Sequence, residues 1–238
     1  MRPLLSIAAL AIAFTAQAQA PAKSPAQAPA KAAAQPPAQA AAKTPAQAEA
    51  DRLFQLIAED KEPVAAILLL GGKVDVGARN AAQETTLHAA AEHGMQALTR
   101  LLIGAGANLR ARTETGETAL HHAALPEDPA CARLLLDAGA DPRARNDGGE
   151  SPLHWAAMSG NAATVRLLLE RGADPDVPDV HGNLPLHGAA DSGQEEVVRL
   201  LLARTRNPAA RNLEGKSARD LAHERGYDEI ERLFQGRR

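Results

Sequence analysis

The stretch Ser151–Asp174, SPLHWAAMSGNAATVRLLLERGAD, decides how the rest of this chain reads. Moved by 33 residues in either direction it meets copies of itself: Thr85-Thr86-Leu87-His88, Thr118-Ala119-Leu120-His121 and Leu184-Pro185-Leu186-His187 match Ser151-Pro152-Leu153-His154. Ser217-Ala218-Arg219-Asp220 falls one interval further on. A second phrase keeps the same step, at Arg100-Leu101-Leu102, Arg133-Leu134-Leu135, Arg166-Leu167-Leu168 and Arg199-Leu200-Leu201. A constant period of this size marks stacked supersecondary units, none of which can bury its apolar side alone.

The opening phrase, T-P-L-H-x-A-A-x-x-G in outline, followed by L-L-x-x-G-A-D, resembles the ankyrin repeat over roughly residues 49 to 238. The resemblance implies an all-α solenoid of helix-turn-helix units with N- and C-terminal capping repeats, used mainly to bind other proteins. The expected units are an N-cap at 49–79, repeats at 80–112, 113–145, 146–178 and 179–211, and a C-cap at 212–238. Arg52 and Gln55 replace the hydroxyl residue and the histidine in the first unit, and Asp220 replaces the histidine in the last. A cap presents one face to its neighbour and keeps the other wet.

Ahead of the repeats, Arg2, an apolar run from Leu4 to Phe14 and the close Ala16-Gln17-Ala18 have the three-part layout of a secretory signal. Cleavage is expected after Ala18, with export to a bacterial periplasm. The run is too short for a comfortable membrane span, so no integral span is expected once the signal is removed. Residues 19–48, almost wholly Ala, Pro, Gln and Lys, are expected to form a disordered linker. All 29 acidic residues lie at or after Glu49, whereas Arg2, Lys23, Lys31 and Lys43 precede it, so the repeats carry a formal −7. With aromatics at only 2%, that charge argues against nucleic acid as a partner.

Thr85, Thr118, Ser151 and Ser217 stand where first helices begin, with hydroxyls suited to orphan N–H groups. The histidines at 88, 121, 154 and 187 invite a metal reading. Adjacent units lie about 10 Å apart, whereas zinc needs nitrogen at about 2.0 to 2.1 Å, so a structural role is expected. The resemblance implies bonds to the helix-start hydroxyl and the next loop. His93, His122, His181 and His223 show no partner spacing that revives the idea, and no metal or cofactor is expected. Cys131, the single cysteine, reads as a half-buried packing residue, with pairing to another chain as the alternative. No catalytic constellation is present, and an enzyme or metal carrier is the remote reading.

On a concave partner-binding face, Arg79, Arg112, Arg145 and Arg211 occupy one position in successive turns, broken by Pro178, with Arg110 and Arg143 beside them. Glu84, Glu117 and Glu150 form a parallel acidic row. These rows read either as solvated turns or as a charge-striped groove that orients a protein partner. Leu125 and Met158, one period apart at first-helix ends, read either as an exposed apolar anchor or, for Leu125, as local packing on Pro126-Glu127-Asp128-Pro129. Trp155 is expected in the core. The turn at Thr205-Arg206-Asn207-Pro208, where Gly-Ala-Asp is missing, is expected to loosen the fourth repeat. The whole reads as a monomer that binds another protein in the periplasm, supporting or protecting an envelope or stress-defence enzyme, or alternatively neutralising a delivered toxin as an immunity protein.

Overall fold

The computed structural model describes residues 44–235. The signal expected at 1–18 and most of the linker expected at 19–48 lie outside the described residues. Among these there are twelve helices in six consecutive pairs. The first pair is α1 (Pro45–Ala58) and α2 (Glu62–Leu70), followed by α3 (Thr86–Glu92) with α4 (Gln96–Gly104) and α5 (Ala119–His122) with α6 (Ala130–Asp137). Then come α7 (Pro152–Ser159) with α8 (Ala162–Glu170), α9 (Pro185–Asp191) with α10 (Glu195–Leu202), and α11 (Ala218–Arg225) with α12 (Asp228–Gln235). None is long and apolar enough to cross a membrane.

Helix α1 begins ahead of the boundary expected at Glu49. The Thr44 hydroxyl accepts the Gln47 N–H at 3.2 Å, and Pro45 sits in the first turn, where its missing donor costs nothing. The alanines and glutamines that follow are good helix formers, so the helix extends into the expected linker. The first helices α1, α3, α5, α7, α9 and α11 pack on one another in chain order. Their contact rows are Leu87, Leu120, Leu153 and Leu186, beside the pairs Ala90-Ala91, Ala123-Ala124, Ala156-Ala157 and Ala189-Ala190, all at most 1% exposed. Alanine leaves room for helices to approach, and the leucines fill what remains.

The second helices contribute Leu102, Leu135, Leu168 and Leu201, all 0% exposed, and the buried row Leu98, Cys131, Thr164 and Val197. Cys131 is thus fully interior, not half-buried. Trp155 is buried, as expected. The outer face of α2 departs from the expected wet cap, because Val64, Ile67 and Leu70 are exposed there.

Between pairs the chain runs out into turns whose tips are stitched by backbone bonds. Glu114 N–H donates to Ala82 O at 3.2 Å, Asp147 to Thr115 O at 3.0 Å, Val180 to Gly148 O at 2.9 Å and Leu213 to His181 O at 2.9 Å. Glycine permits this approach. A Cβ on Gly182, whose φ is +78°, would sit 3.1 Å from the Leu213 nitrogen. The loosened end expected at Thr205-Arg206 has a replacement tie: Asp176 accepts from the Thr205 hydroxyl, the Arg206 N–H at 3.1 Å and its Nε at 2.8 Å.

Each repeat is locked to the next by its histidine. Nδ1 of His88, His121, His154 and His187 accepts the N–H of Thr85, Thr118, Ser151 and Leu184 at 3.0–3.2 Å. The hydroxyls of Thr85, Thr118 and Ser151 also lie 2.8–3.0 Å from Nδ1, completing capping boxes in which histidine fills the third helical position. Leu184 has no hydroxyl to offer, so His187 lacks that bond. At α11 the carboxylate of Asp220 takes the Ser217 N–H at 2.9 Å, and the Ser217 hydroxyl accepts the Asp220 N–H at 3.2 Å.

Each Nε2 faces a carbonyl of the following turn, on Glu117, Glu150, Asn183 and Ala210, at 3.1–3.2 Å. A backbone N–H only donates and a carbonyl only accepts, so the ring proton is on Nε2 and the ring is neutral. Protonating Nδ1 would break the box and bury a charge. Burial accordingly holds the pKa of His88 and His121 down to about 4, and lowers those of His154 and His187.

The sign of the pH dependence follows. The unfolded chain takes up protons near the ordinary value of 6.5 while the folded chain refuses them, so stability is full above that value and falls as pH drops towards 4. The loss is about 1.4 kcal/mol per pH unit for each fully depressed histidine. Urea midpoints should be flat above pH 7 and fall steeply from pH 6.5 to 4.5, above the carboxylate range; a flat profile across that window would contradict neutral boxes.

Candidate functional site

The arginine row is exposed, but its guanidinium groups are engaged. Arg79 donates through Nη1 to the carbonyl of Gln83 in its own turn and to that of Arg112, one period on, at 2.6 Å. Arg112 repeats the pattern, with Nε on Gly116 O at 3.0 Å and Nη2 on the carbonyl of Arg145. Arg145 does so again, with Nε on Gly149 O at 2.9 Å and Nη2 on the carbonyl of Pro178. Pro178 accepts through its carbonyl but carries no donor side chain to continue the ladder. Arg211 turns instead to the carbonyl of Gly215 and to Asp220 Oδ2 at 3.1 Å. Within the chain, the guanidinium fork spans a carbonyl at each end and ties one turn to the next.

Arg143 and Arg110, one period apart, have different surroundings. Arg143 Nε donates to Gly172 O at 2.8 Å, at the carbonyl end of α8, where a cation is favoured. The side chain of Arg110 has no hydrogen-bond partner among the described residues, and it remains available to a visitor.

The acidic row is likewise turned inward. Glu84 is half-buried and its Oε2 accepts from Asn80 Nδ2 at 2.6 Å. Glu117 is 9% exposed and accepts the hydroxyls of Thr113 and Thr115. Burial pushes its carboxyl up, but the two hydroxyls and its own N–H outweigh that and hold it below the usual range. Glu150 Oε2 accepts from Asn146 Nδ2 and from the Trp155 indole N–H, both at 2.9 Å. These carboxylates close turns and satisfy buried donors, a role their spacing alone does not reveal.

Leu125 and Met158 are both half-buried. Leu125 packs against the core, and the amide of Asn161 donates from Nδ2 to the carbonyls of Ala124, Leu125 and Pro126 at 2.7–2.9 Å, which pins the proline loop. The Met158 carbonyl faces Gln194 Nε2 at 3.4 Å. Both keep part of their surface exposed, and the contact of Leu125 with the core fits the local-packing alternative.

Exposed apolar side chains stand elsewhere, at Val180 (55%) and Leu213 (79%). Their period-mates at the turn tips are Ala81, Glu114 and Asp147, so the tip row passes from acidic to apolar towards the C-terminal end. The signal was present in the sequence: in a 33-residue alignment, two large apolar residues fall where the preceding tips carry carboxylates.

Cys131 is 1% exposed, with Sγ 3.5 Å from Thr99 Oγ1, and burial pushes its thiol pKa up. Such a thiol is neither nucleophilic nor presented for pairing with a second chain.

Replacing Arg145 by Ala should lower stability to urea by about 1–2 kcal/mol through the lost carbonyl bonds, whereas Arg110→Ala should stay within about 0.5 kcal/mol. Equal effects of the two would contradict the ladder. Cys131 should react with a disulfide reagent only as the chain opens, so that labelling accelerates sharply in denaturant; native labelling as fast as in the unfolded chain would contradict its burial.

The family model described as ankyrin repeats (3 copies) matches residues 53–146 and again 127–212. No curated protein matches the chain. The two matched segments together cover most of the twelve-helix stack, and the helix pairs, turn ladder and histidine boxes described above lie within or beside them. The chain therefore belongs to the ankyrin-repeat family, whose members are typically non-enzymatic modules for protein–protein interaction.

Proposed function

We propose that this chain holds a protein partner against its turn tips in the bacterial periplasm, where it supports or protects an exported enzyme of the envelope or of stress defence. The observation that carries the reading is the pair Val180 and Leu213, exposed at adjacent tips beside the carboxylates of Glu114 and Asp147. Side chains of this size left in water at turns stitched by backbone bonds suit the centre of an interface. The matching partner surface is apolar with a basic margin, and the −7 charge of the repeats favours its approach. Export rests on the layout of residues 1–18. The free guanidinium of Arg110 offers a second contact farther along the stack.

The test uses the full-length chain, expressed with its own leader and recovered from periplasm with its bound protein. The mature N-terminus should begin at Gln19, and one exported enzyme should co-purify. Val180→Ser with Leu213→Ser should reduce that capture at least about tenfold, equivalent to 1.4 kcal/mol or more, with Tm unchanged. Leu125→Ser with Met158→Ser should instead lower Tm. Undiminished capture by the tip variant would remove this surface, an N-terminus at Met1 would remove export, and a tightly held toxin in place of an enzyme would establish the immunity reading.

A further inference from the structure

We propose that Glu84, Glu92 and His122 form a binding site for a divalent transition-metal ion, of which Zn2+ is the representative, at the junction of the first and second full repeats. Glu84 stands just before α3, Glu92 ends α3 and His122 ends α5 of the next repeat. One ligand atom from each lies within 4.8 Å of the other two. His122 Nδ1 is already 3.2 Å from Glu92 Oε2. Ligands held tetrahedrally at about 2.1 Å from zinc are about 3.4 Å apart, so the His122–Glu92 pair already fits and the Glu84 carboxylate, which accepts from Asn80 Nδ2, would move inward.

Several features separate this imidazole from the four in the boxes. Each box histidine has both ring nitrogens bonded to backbone. His122 is 2% exposed; its Nδ1–H donates to the Glu92 carboxylate, its Nε2 has no hydrogen-bond partner among the described residues, and no backbone group holds the ring. Its ring is held edge-on to His88, with centroids 5.3 Å apart, and tilted against Trp155 at 5.7 Å. An imidazole whose orientation is fixed by packing, and whose Nδ1 proton a metal ion can displace, is a suitable nitrogen ligand. Opposite it are two half-buried carboxylates, with Glu117 close by. A divalent cation held between them would offset both negative charges.

One nitrogen and two carboxylate oxygens suit Zn2+ and its neighbours better than Ca2+, which prefers six or more oxygens. Three protein ligands leave a coordination position open.

The site is local to this junction. One period on, Glu84 is matched by Glu117, but Glu92 is matched by Leu125 and His122 by Trp155; one period back, His122 is matched by Ala89. It therefore does not belong to the repeating framework. It is hidden in the sequence because His122 meets Glu92 and Glu84 across the stacking interface, not along one helix.

Full-length protein stripped with chelator and titrated with Zn2+ alone provides the test. Trp155 is the single tryptophan and touches the His122 ring, so its emission reports on the site directly. One equivalent should bind with a Kd on the order of micromolar or tighter, with a matching change in Trp155 emission that chelator reverses. Glu92→Gln and His122→Gln should each weaken binding at least about tenfold. His181→Ala with His223→Ala, remote from the three ligands in chain position, should leave it unchanged. If His122→Gln does not fold, judged by far-ultraviolet dichroism, the half-buried Glu92→Gln decides the matter. Absence of saturable Zn2+ binding in the wild type, or equal affinity in Glu92→Gln, would overturn the site without bearing on the turn-tip surface.

Discussion

No helix pair in this chain can bury its apolar side by itself. Helices of about two turns, built of alanine and leucine, expose too much surface when isolated, and each first helix reaches full burial only between its neighbours. The alanine pairs at 90-91, 123-124, 156-157 and 189-190 allow that approach, and all are 0% exposed. Everything else in the structure follows from the need to keep neighbours in register.

The polar residues meet that need through three devices. The box histidines join a helix start to a carbonyl of the next turn. The arginine ladder from Arg79 to Pro178 ties turn to turn on the outside. The glutamates and Asn161 satisfy donors and acceptors that the turns leave open. Because these groups are spent on the frame, the surface left for recognition is narrower than the charge pattern suggests. It includes the tips at Val180 and Leu213, the outer face of α2 at Val64, Ile67 and Leu70, the Arg110 side chain, and the recess where His122 meets two carboxylates.

How much was legible in the sequence follows from which contacts repeat with the period. Helix pairs, the leucine rows, the histidine role and the glycine turns each recur at a fixed step, so their surroundings recur as well. The arginine and glutamate rows recur equally well, yet their role was not legible, because a side chain's charge says nothing about the backbone carbonyl it meets 33 residues away. Leu125 was ambiguous because the proline loop beside it breaks the pattern. The start of α1 was missed because a proline at the first helical position resembles the prolines that break helices elsewhere in the same segment. The Glu84–Glu92–His122 group was invisible for the opposite reason, being a single event at one junction.

Nearest-neighbour burial is the central claim, and it is tested most directly by hydrogen exchange on a chain carrying Ala156→Leu. This change crowds the first-helix row at its middle and costs about 1–3 kcal/mol. If neighbours stabilise one another, protection falls in the flanking repeats, over residues 118–137 and 185–202, as well as in 152–170. Loss confined to residues 152–170, with both neighbours as protected as in the wild type, would show that each unit stands alone and would contradict the account.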